Sequence, residues 1–142
     1  MTDTTQQFDT ALALCRNVFT AKLADYGPSW RILRPAAVTD QIFIKAKRIR
    51  SLETKGCSAV GEGILPEFIA IVNYGIIGLI QLELGASDTK DIGVDTAVEL
   101  YNRYVAAVRT LMLAKNHDYD EAWRMMRVLS YTDLILMKIE RT

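Results

Sequence analysis

Two stretches of the sequence carry the same set of residues with phosphate-binding and ring-binding chemistry. Residues 25–34 read DYGPSWRILR, and residues 118–127 read DYDEAWRMMR. An arginine guanidinium binds phosphate oxygens through two parallel hydrogen bonds, and a tyrosine or tryptophan can stack on a flat ring. The pattern therefore indicates a ligand that carries both phosphates and an aromatic base.

Both stretches belong to a longer repeat with an offset of 93 residues. Residues 21–48 align without a gap on residues 114–141, and twelve of the 28 aligned pairs are identical. Ordinary composition would give about two identities. Most of the identical pairs are charged or polar, whereas Ile32 and Leu33 are replaced by Met125 and Met126. We interpret the repeat as an internal duplication that kept its polar residues.

The candidate ligand-binding residues come from both copies. On a helix with 100° per residue, Asp40, Lys45 and Arg48 share one polar sector. Trp30 and Arg34 lie one helical turn apart. The candidate substrate-binding residues are Lys22, Asp25, Tyr26, Trp30, Arg31, Arg34, Arg48, Asp118, Tyr119, Trp123, Arg124, Arg127, Asp133, Lys138 and Arg141.

A structural interpretation accounts for the same residues. Asp25 and Asp118 would cap the start of a helix, and the Thr-Asp pairs at 39–40 and 132–133 would begin the next one. The two tryptophans would lie in the core. The arginines and aspartates would form ion pairs between helices. The sequence alone leaves both interpretations open.

Hydrophobic residues recur at helical spacing through most of the chain. The spacing predicts helices at about 5–24, 38–54, 66–84, 95–115 and 131–141, with short helical segments at 28–34 and 120–127. Gly27 and Pro28 are expected to begin the first short segment, Pro35 to end it, and Thr39 to cap the following helix. No segment shows the alternation of a strand. We expect one all-α domain over residues 1–142, a helical bundle of two tandem repeated units at about 5–85 and 95–142.

Composition and charge exclude several classes of protein. The chain has 142 residues, half of them hydrophobic, and a formal net charge of zero, which argues against nonspecific binding to nucleic acid or anionic membranes. The polar start MTDTTQQFD is no signal peptide, and the apolar run Phe68–Ile80 is too short to span a bilayer. Cys15 and Cys57 lack metal-binding spacing and indicate reduced thiols. We expect a cytoplasmic protein with no membrane or nucleic-acid partner.

The second repeated unit is incomplete. By the same offset, the counterpart of residues 67–84 would fall at 160–177, whereas the sequence stops at Thr142. The second unit therefore lacks its most apolar helix: either the sequence is truncated, or the protein closes its core by oligomerising. We expect an exposed apolar surface on the last helices, covered by a second chain of a homo-oligomer.

Three sequence elements carry a resemblance to a known family. KxxDYGxxW, TDxIxxKxxR and GEGIxPEFIxIVNYGIIGLIQLE resemble a bacterial family catalogued as domain of unknown function 1599, also labelled a nucleotide modification associated domain. More distantly, the pattern is similar to the MazG-like all-α nucleoside triphosphate pyrophosphohydrolases. The resemblance implies cleavage of a nucleoside triphosphate to monophosphate and pyrophosphate, with magnesium held by acidic side chains.

The resemblance also assigns roles to particular residues. The positions that match the family pattern are Lys22, Asp25, Tyr26, Lys45, Arg48, Glu67, Asn73 and Tyr74. Two acidic positions of that pattern are occupied here by Ile44 and Ala70. Asp40, one turn before Ile44 on the same helix face, would then replace the first acid, and Glu62 and Glu67 would supply the other side of the site.

On this basis the implied magnesium ligands are Asp40, Glu62 and Glu67, and the implied catalytic residues are Asp40, Lys45 and Glu67. The phosphates would be held by Arg31, Arg34, Lys45 and Arg48. The alternative is a non-catalytic helical module for ligand binding or oligomeric interaction, in which the same polar residues are structural.

Overall fold

The computed structural model describes residues 4–55 and 63–141. The helices are α1 (Thr4–Tyr26), α2 (Pro35–Lys55), α3 (Leu65–Leu84), α4 (Val94–Tyr119) and α5 (Val128–Glu140). Two 3₁₀ turns, Ser29–Ile32 and Ala122–Met125, join α1 to α2 and α4 to α5. Every regular element within the described ranges is helical, which confirms the predicted all-α class.

Helix α3 is the centre of the bundle. It packs against α1, α2 and α4. Helix α5 packs against α2. The apolar stripes of these helices meet in one core, because burial of a continuous apolar face is what stabilises an amphipathic helix. The buried core residues are Phe19, Leu23, Val38, Ile76, Ile77, Ile80, Ala97 and Tyr101.

A short hydrogen-bonded chain runs through this core. The hydroxyl of the fully buried Tyr101 donates to Asn73 Oδ1 at 2.7 Å, and Asn73 Nδ2 donates to the backbone oxygen of Cys15 at 3.0 Å. Burial raises the pKa of Tyr101, so the phenol keeps the proton that it donates. The Tyr101 ring stacks on Phe19 with centroids 4.2 Å apart. These bonds fix how α1, α3 and α4 meet.

The order of elements recurs at the offset of the sequence repeat. α1 ends at Tyr26 and α4 at Tyr119, the 3₁₀ turns begin at Ser29 and Ala122, and α2 and α5 begin at Pro35 and Val128. Each of these pairs is 93 residues apart. The residues after the first helix of each unit, Gly27 and Asp120, both have positive φ, at 65° and 50°. The geometry agrees with the repeat; the duplication itself stays an interpretation.

Three predicted helix boundaries were wrong. Gly27 ends α1, because its left-handed backbone closes the last turn through its N–H to Leu23 O, instead of beginning the next segment. Pro35 begins α2 instead of ending a helix, since a proline at the first position has no N–H to leave unsatisfied. Thr39 therefore lies inside α2 and donates to Pro35 O. Asp25 and Asp118 lie in the last turns of α1 and α4 and cap no helix start.

The apolar run Phe68–Ile80, judged too short to span a bilayer, lies within the longer helix α3, Leu65–Leu84. Among the described residues, α3 alone is long and apolar enough to cross a membrane by length and composition. A core helix of a soluble bundle passes the same test. α3 buries Glu67, Asn73 and Gln81 against its neighbours, as a core helix with protein partners does. Cytoplasmic localisation stays a prediction.

The Tyr101–Asn73 bond gives a stability prediction. Tyr101→Phe should lower the free energy of unfolding by about 1–2 kcal/mol, because Asn73 Oδ1 then lies buried without its donor. Urea denaturation measures the change. Tyr104→Phe, at a less buried position of α4, is the matched control and should lower the free energy of unfolding by less. An equal loss in both variants would contradict a larger contribution from the buried Tyr101–Asn73 bond.

Candidate functional site

Three of the predicted site residues meet between α2 and α3. Glu67, in the first turn of α3, forms an ion pair with Arg48, whose Nε lies 2.7 Å from Oε1. It forms a longer ion pair with Lys45, whose Nζ lies 3.7 Å from Oε2. The Glu67 side chain is only 10% exposed, whereas those of Lys45 and Arg48 are 31% and 43% exposed. A buried carboxylate thus holds two cations that still face solvent.

The local sequence explains this convergence. Lys45 and Arg48 are three residues apart and therefore project from one side of α2. The neighbouring side of α2 is buried, through Val38, Ala46 and Ile49. A Cβ added at Gly78 would lie 3.3 Å from Val38 Cγ1, so the glycine lets α2 approach α3 closely. Glu67 also lies at the positive end of the α3 dipole, where a carboxylate is favoured.

The predicted magnesium ligands are not brought together among the described residues. Asp40 is exposed on α2, and Glu62 lies outside the described ranges. Within residues 4–55 and 63–141, no group of three His, Cys, Asp or Glu side chains could hold a metal ion. The part of the chain that the structure describes therefore does not fit a magnesium site, and magnesium stays a prediction.

Arg31, predicted to bind phosphate, is instead buried, with 3% of its side chain exposed. Its Nε and Nη2 donate to the two carboxylate oxygens of Asp91, at 2.8 and 3.2 Å. Its Nη1 donates to Gln81 Oε1 and, at 2.7 Å, to the backbone oxygen of Gly85. Hydrogen bonding by Arg31 lowers the pKa of Asp91, so the pair stays charged. Four of its five N–H donors are thus engaged within the chain, and burial keeps the guanidinium from a phosphate in solution.

Gln81 completes this network from the side of α3. Its Nε2 donates to the backbone oxygens of Arg31 and Leu33, at 2.9 and 2.5 Å. Ser87 N donates to the Arg31 oxygen as well, at 2.9 Å. We call Arg31, Gln81, Asp91 and the Gly85 carbonyl the Arg31 network. Sequence reasoning missed Gln81 and Asp91; the one available signal was a glutamine that follows the apolar run Ile76–Ile80.

Apart from Asp40 on α2, the other first-copy candidates lie at the end of α1 or in the connection from α1 to α2 that carries Arg31. Lys22, Asp25, Tyr26 and Arg34 are exposed there, and Tyr26 exposes 64% of its surface. Trp30 is half-buried against the core, with its ring 6.2 Å from that of Phe19. Gln81 follows Glu67 by 14 residues, which on a helix is about 21 Å. The first-copy residues thus form two groups at opposite ends of α3.

The equivalent arginine of the second copy, Arg124, is also engaged in intramolecular contacts. Its Nε lies 3.3 Å from Glu121 Oε1, and its Nη2 donates to Thr4 Oγ1 and Gln7 Oε1 at 2.7 Å. The guanidinium carbon lies 4.5 Å from the ring centre of Trp123, a cation–π contact. Trp123 Nε1 donates to Asn116 Oδ1.

The remaining second-copy candidates do not form one cluster. Asp133 pairs with Arg50 of α2 at 2.5 Å, and the neighbouring Thr132 is buried near Glu53. These contacts hold α5 on α2. The other predicted residues of this copy are exposed: Asp118, Tyr119, Arg127, Lys138 and Arg141.

The sequence of the chain matches one family model. Residues 22–82 and 115–142 match domain of unknown function 1599, described as nucleotide modification associated domain 1. Together the two segments cover more than half of the chain, so the chain belongs to this family. Both segments begin at lysines of the repeat, Lys22 and Lys115. Neither curated proteins nor solved structures gave a match.

The two equivalent arginines provide a matched pair of substitutions. Arg31→Ala should lower the free energy of unfolding by about 2–4 kcal/mol, because Gln81, Asp91 and the Gly85 carbonyl lose a buried cationic donor. Arg124→Ala removes a guanidinium that is 35% exposed, and it should lower the free energy of unfolding by only about 1 kcal/mol. Urea denaturation compares them. Similar losses would contradict a special role for the Arg31 network.

The lowered pKa of Asp91 predicts a pH dependence. A carboxyl whose folded pKa is depressed stabilises the fold above its unfolded pKa of about 3.9, and this stabilisation is lost as pH falls through the folded pKa. Asp91→Asn should therefore be less stable than the parent at pH 7, and the difference should shrink between about pH 5 and pH 2. Asp88→Asn, in the same loop but outside the network, is the matched control, and an equal pH-dependent loss in both variants would contradict a special role for the Arg31–Asp91 pair.

Proposed function

We propose that the chain binds a nucleotide or a related phosphate ligand at the Lys45–Arg48–Glu67 cluster. The observation that carries the proposal is the convergence of two partly exposed cations on one buried carboxylate. The carboxylate fixes both side chains in place, and the cluster keeps one net positive charge toward solvent. An arginine and a lysine held in this way suit the oxygens of a phosphate.

The family description supports a nucleotide as the ligand, although it concerns the family and not this chain. The finer hypothesis is a MazG-like, magnesium-dependent nucleoside triphosphate pyrophosphohydrolase, which rests on sequence resemblance. Because the described residues do not assemble a metal site, we derive no hydrolytic step. Binding at this cluster is the part of the hypothesis that the described contacts support.

A specific observation favours the alternative, a non-catalytic helical module. Arg31, Arg124 and Asp133 make intramolecular contacts that join elements of the bundle. For these three residues the structural interpretation accounts for the repeated sequence without a ligand. Lys45 and Arg48 also join α2 to α3 through Glu67, but unlike Arg31 they keep 31% and 43% of their side chains exposed to a ligand.

Thermal-shift titration with nucleoside mono- and triphosphates, with and without magnesium, tests binding. A ligand that binds only the folded chain raises the melting temperature. At a ligand concentration a hundredfold above Kd, the added free energy of unfolding is about 2.7 kcal/mol. Lys45→Ala should weaken the interaction at least about tenfold. Lys47→Ala, an exposed lysine of the same helix, is the matched control and should bind like the parent.

Glu67→Gln separates the two forms of the proposal. If the two cations alone bind the phosphate, removing the competing carboxylate should tighten metal-free binding. If Glu67 holds magnesium, the same variant should lose the magnesium-dependent part of binding and any release of pyrophosphate. No shift of the parent chain with any nucleotide would overturn the proposal, and the alternative module would then stand.

A further inference from the structure

The second repeated unit exposes a large apolar surface. Seven side chains between residues 123 and 137 expose more than a third of their area, with Met125 at 89% and Leu129 at 54%. We call this set the second-unit surface: Trp123, Met125, Met126, Val128, Leu129, Leu134 and Met137. Single exposed apolar residues are ordinary, whereas a concentration of them in one short segment marks interaction sites in soluble proteins.

The first unit shows what covers the same sequence motif. Trp30 and Leu33, the counterparts of Trp123 and Met126, pack against the core. The cover is the C-terminal end of α3 with the loop after it, which binds the turn through Gln81 and the Gly85 carbonyl. Among the described residues, no helix takes this place on the second unit. The motif is therefore built to lie under a helix of the α3 type.

The chain also presents such a helix, since one side of α3 faces outward. Its exposed residues are Leu65, Val72, Leu79 and Leu82, at 58%, 37%, 36% and 69% exposure. With the partly buried Phe68 and Gly75 they follow the a and d positions of a heptad, the spacing that packs against another helix. An added Cβ at Gly75 would meet nothing within 4 Å, so the middle of this stripe is open. We call these six residues the α3 stripe.

We propose that two copies of the chain form a two-fold dimer in which the α3 stripe of each covers the second-unit surface of the other. A two-fold arrangement satisfies both surfaces of both chains at once. Together the two surfaces offer on the order of 1,000 Å² of apolar area per chain, against about 800 Å² per partner in a typical specific interface. A bilayer as the occupant would need a wider apolar face than a heptad stripe.

Light scattering coupled to gel filtration tests the proposal on the full chain. The parent should elute with twice the 16.0 kDa mass of one chain. Leu82→Glu in the α3 stripe and Leu129→Glu in the second-unit surface should each weaken the dimer at least about a hundredfold, because a carboxylate would be buried in an apolar contact. Leu111→Glu, at a residue of α4 that is 56% exposed and outside both surfaces, should leave the dimer intact.

Mixing the two disruptive variants identifies the pairing. The Leu129→Glu chain keeps its α3 stripe and the Leu82→Glu chain keeps its second-unit surface, so one of the two contacts is intact in a mixed dimer. The mixture should therefore recover dimer that neither variant forms alone. A dimer in which the α3 stripe of one chain packs on the α3 stripe of the other would give no recovery and would overturn the proposal. So would a monomeric parent, a parent that binds only to vesicles, or a dimer unaffected by both variants. Far-ultraviolet circular dichroism confirms that each variant is folded.

Discussion

A buried guanidinium is the interaction on which the arrangement of the first unit depends. Removing a charge from water is costly unless its hydrogen bonds are replaced, and Arg31 replaces them with Asp91, Gln81 and the Gly85 carbonyl. These partners belong to the end of α3 and to the loop that leads into α4. The network therefore joins the turn between α1 and α2 to two other segments.

The two copies of the repeat use the same arginine with different partners. Arg31 reaches an acid 60 residues away, whereas Arg124 pairs with Glu121 in its own turn and reaches Thr4 and Gln7 of α1. What the copies share is a 3₁₀ turn that an arginine fixes to its surroundings. Much of the polar identity between the copies can thus be explained by the needs of this corner. A residue can persist in both copies because the turn requires it, without any ligand.

The fold was more predictable from sequence than the site. The all-α class and the main helices follow from apolar periodicity, which reports local geometry. The boundaries at Gly27 and Pro35 were missed because glycine and proline each suit two positions near a helix end, and tertiary packing decides between them. The partners of Arg31 could not be predicted, since Gln81 and Asp91 are distant in sequence. Lys45, Arg48 and Glu67 were predicted, and the structure brings them together.

The separation along α3 limits what kind of ligand one site can take. The sequence suggested that Tyr26 and Trp30 stack on a base while Lys45 and Arg48 hold its phosphates. Tyr26 lies near Lys90, in the loop after α3, whereas the two cations lie at the start of α3, about 21 Å of helix away. One compact nucleotide cannot use both groups. A base bound with its phosphates on Lys45 and Arg48 must be recognised near Glu67, where Phe68 follows directly in α3 and Tyr74 lies two turns further along. The aromatic residues of the repeated phrase then belong to the corner and not to the ligand.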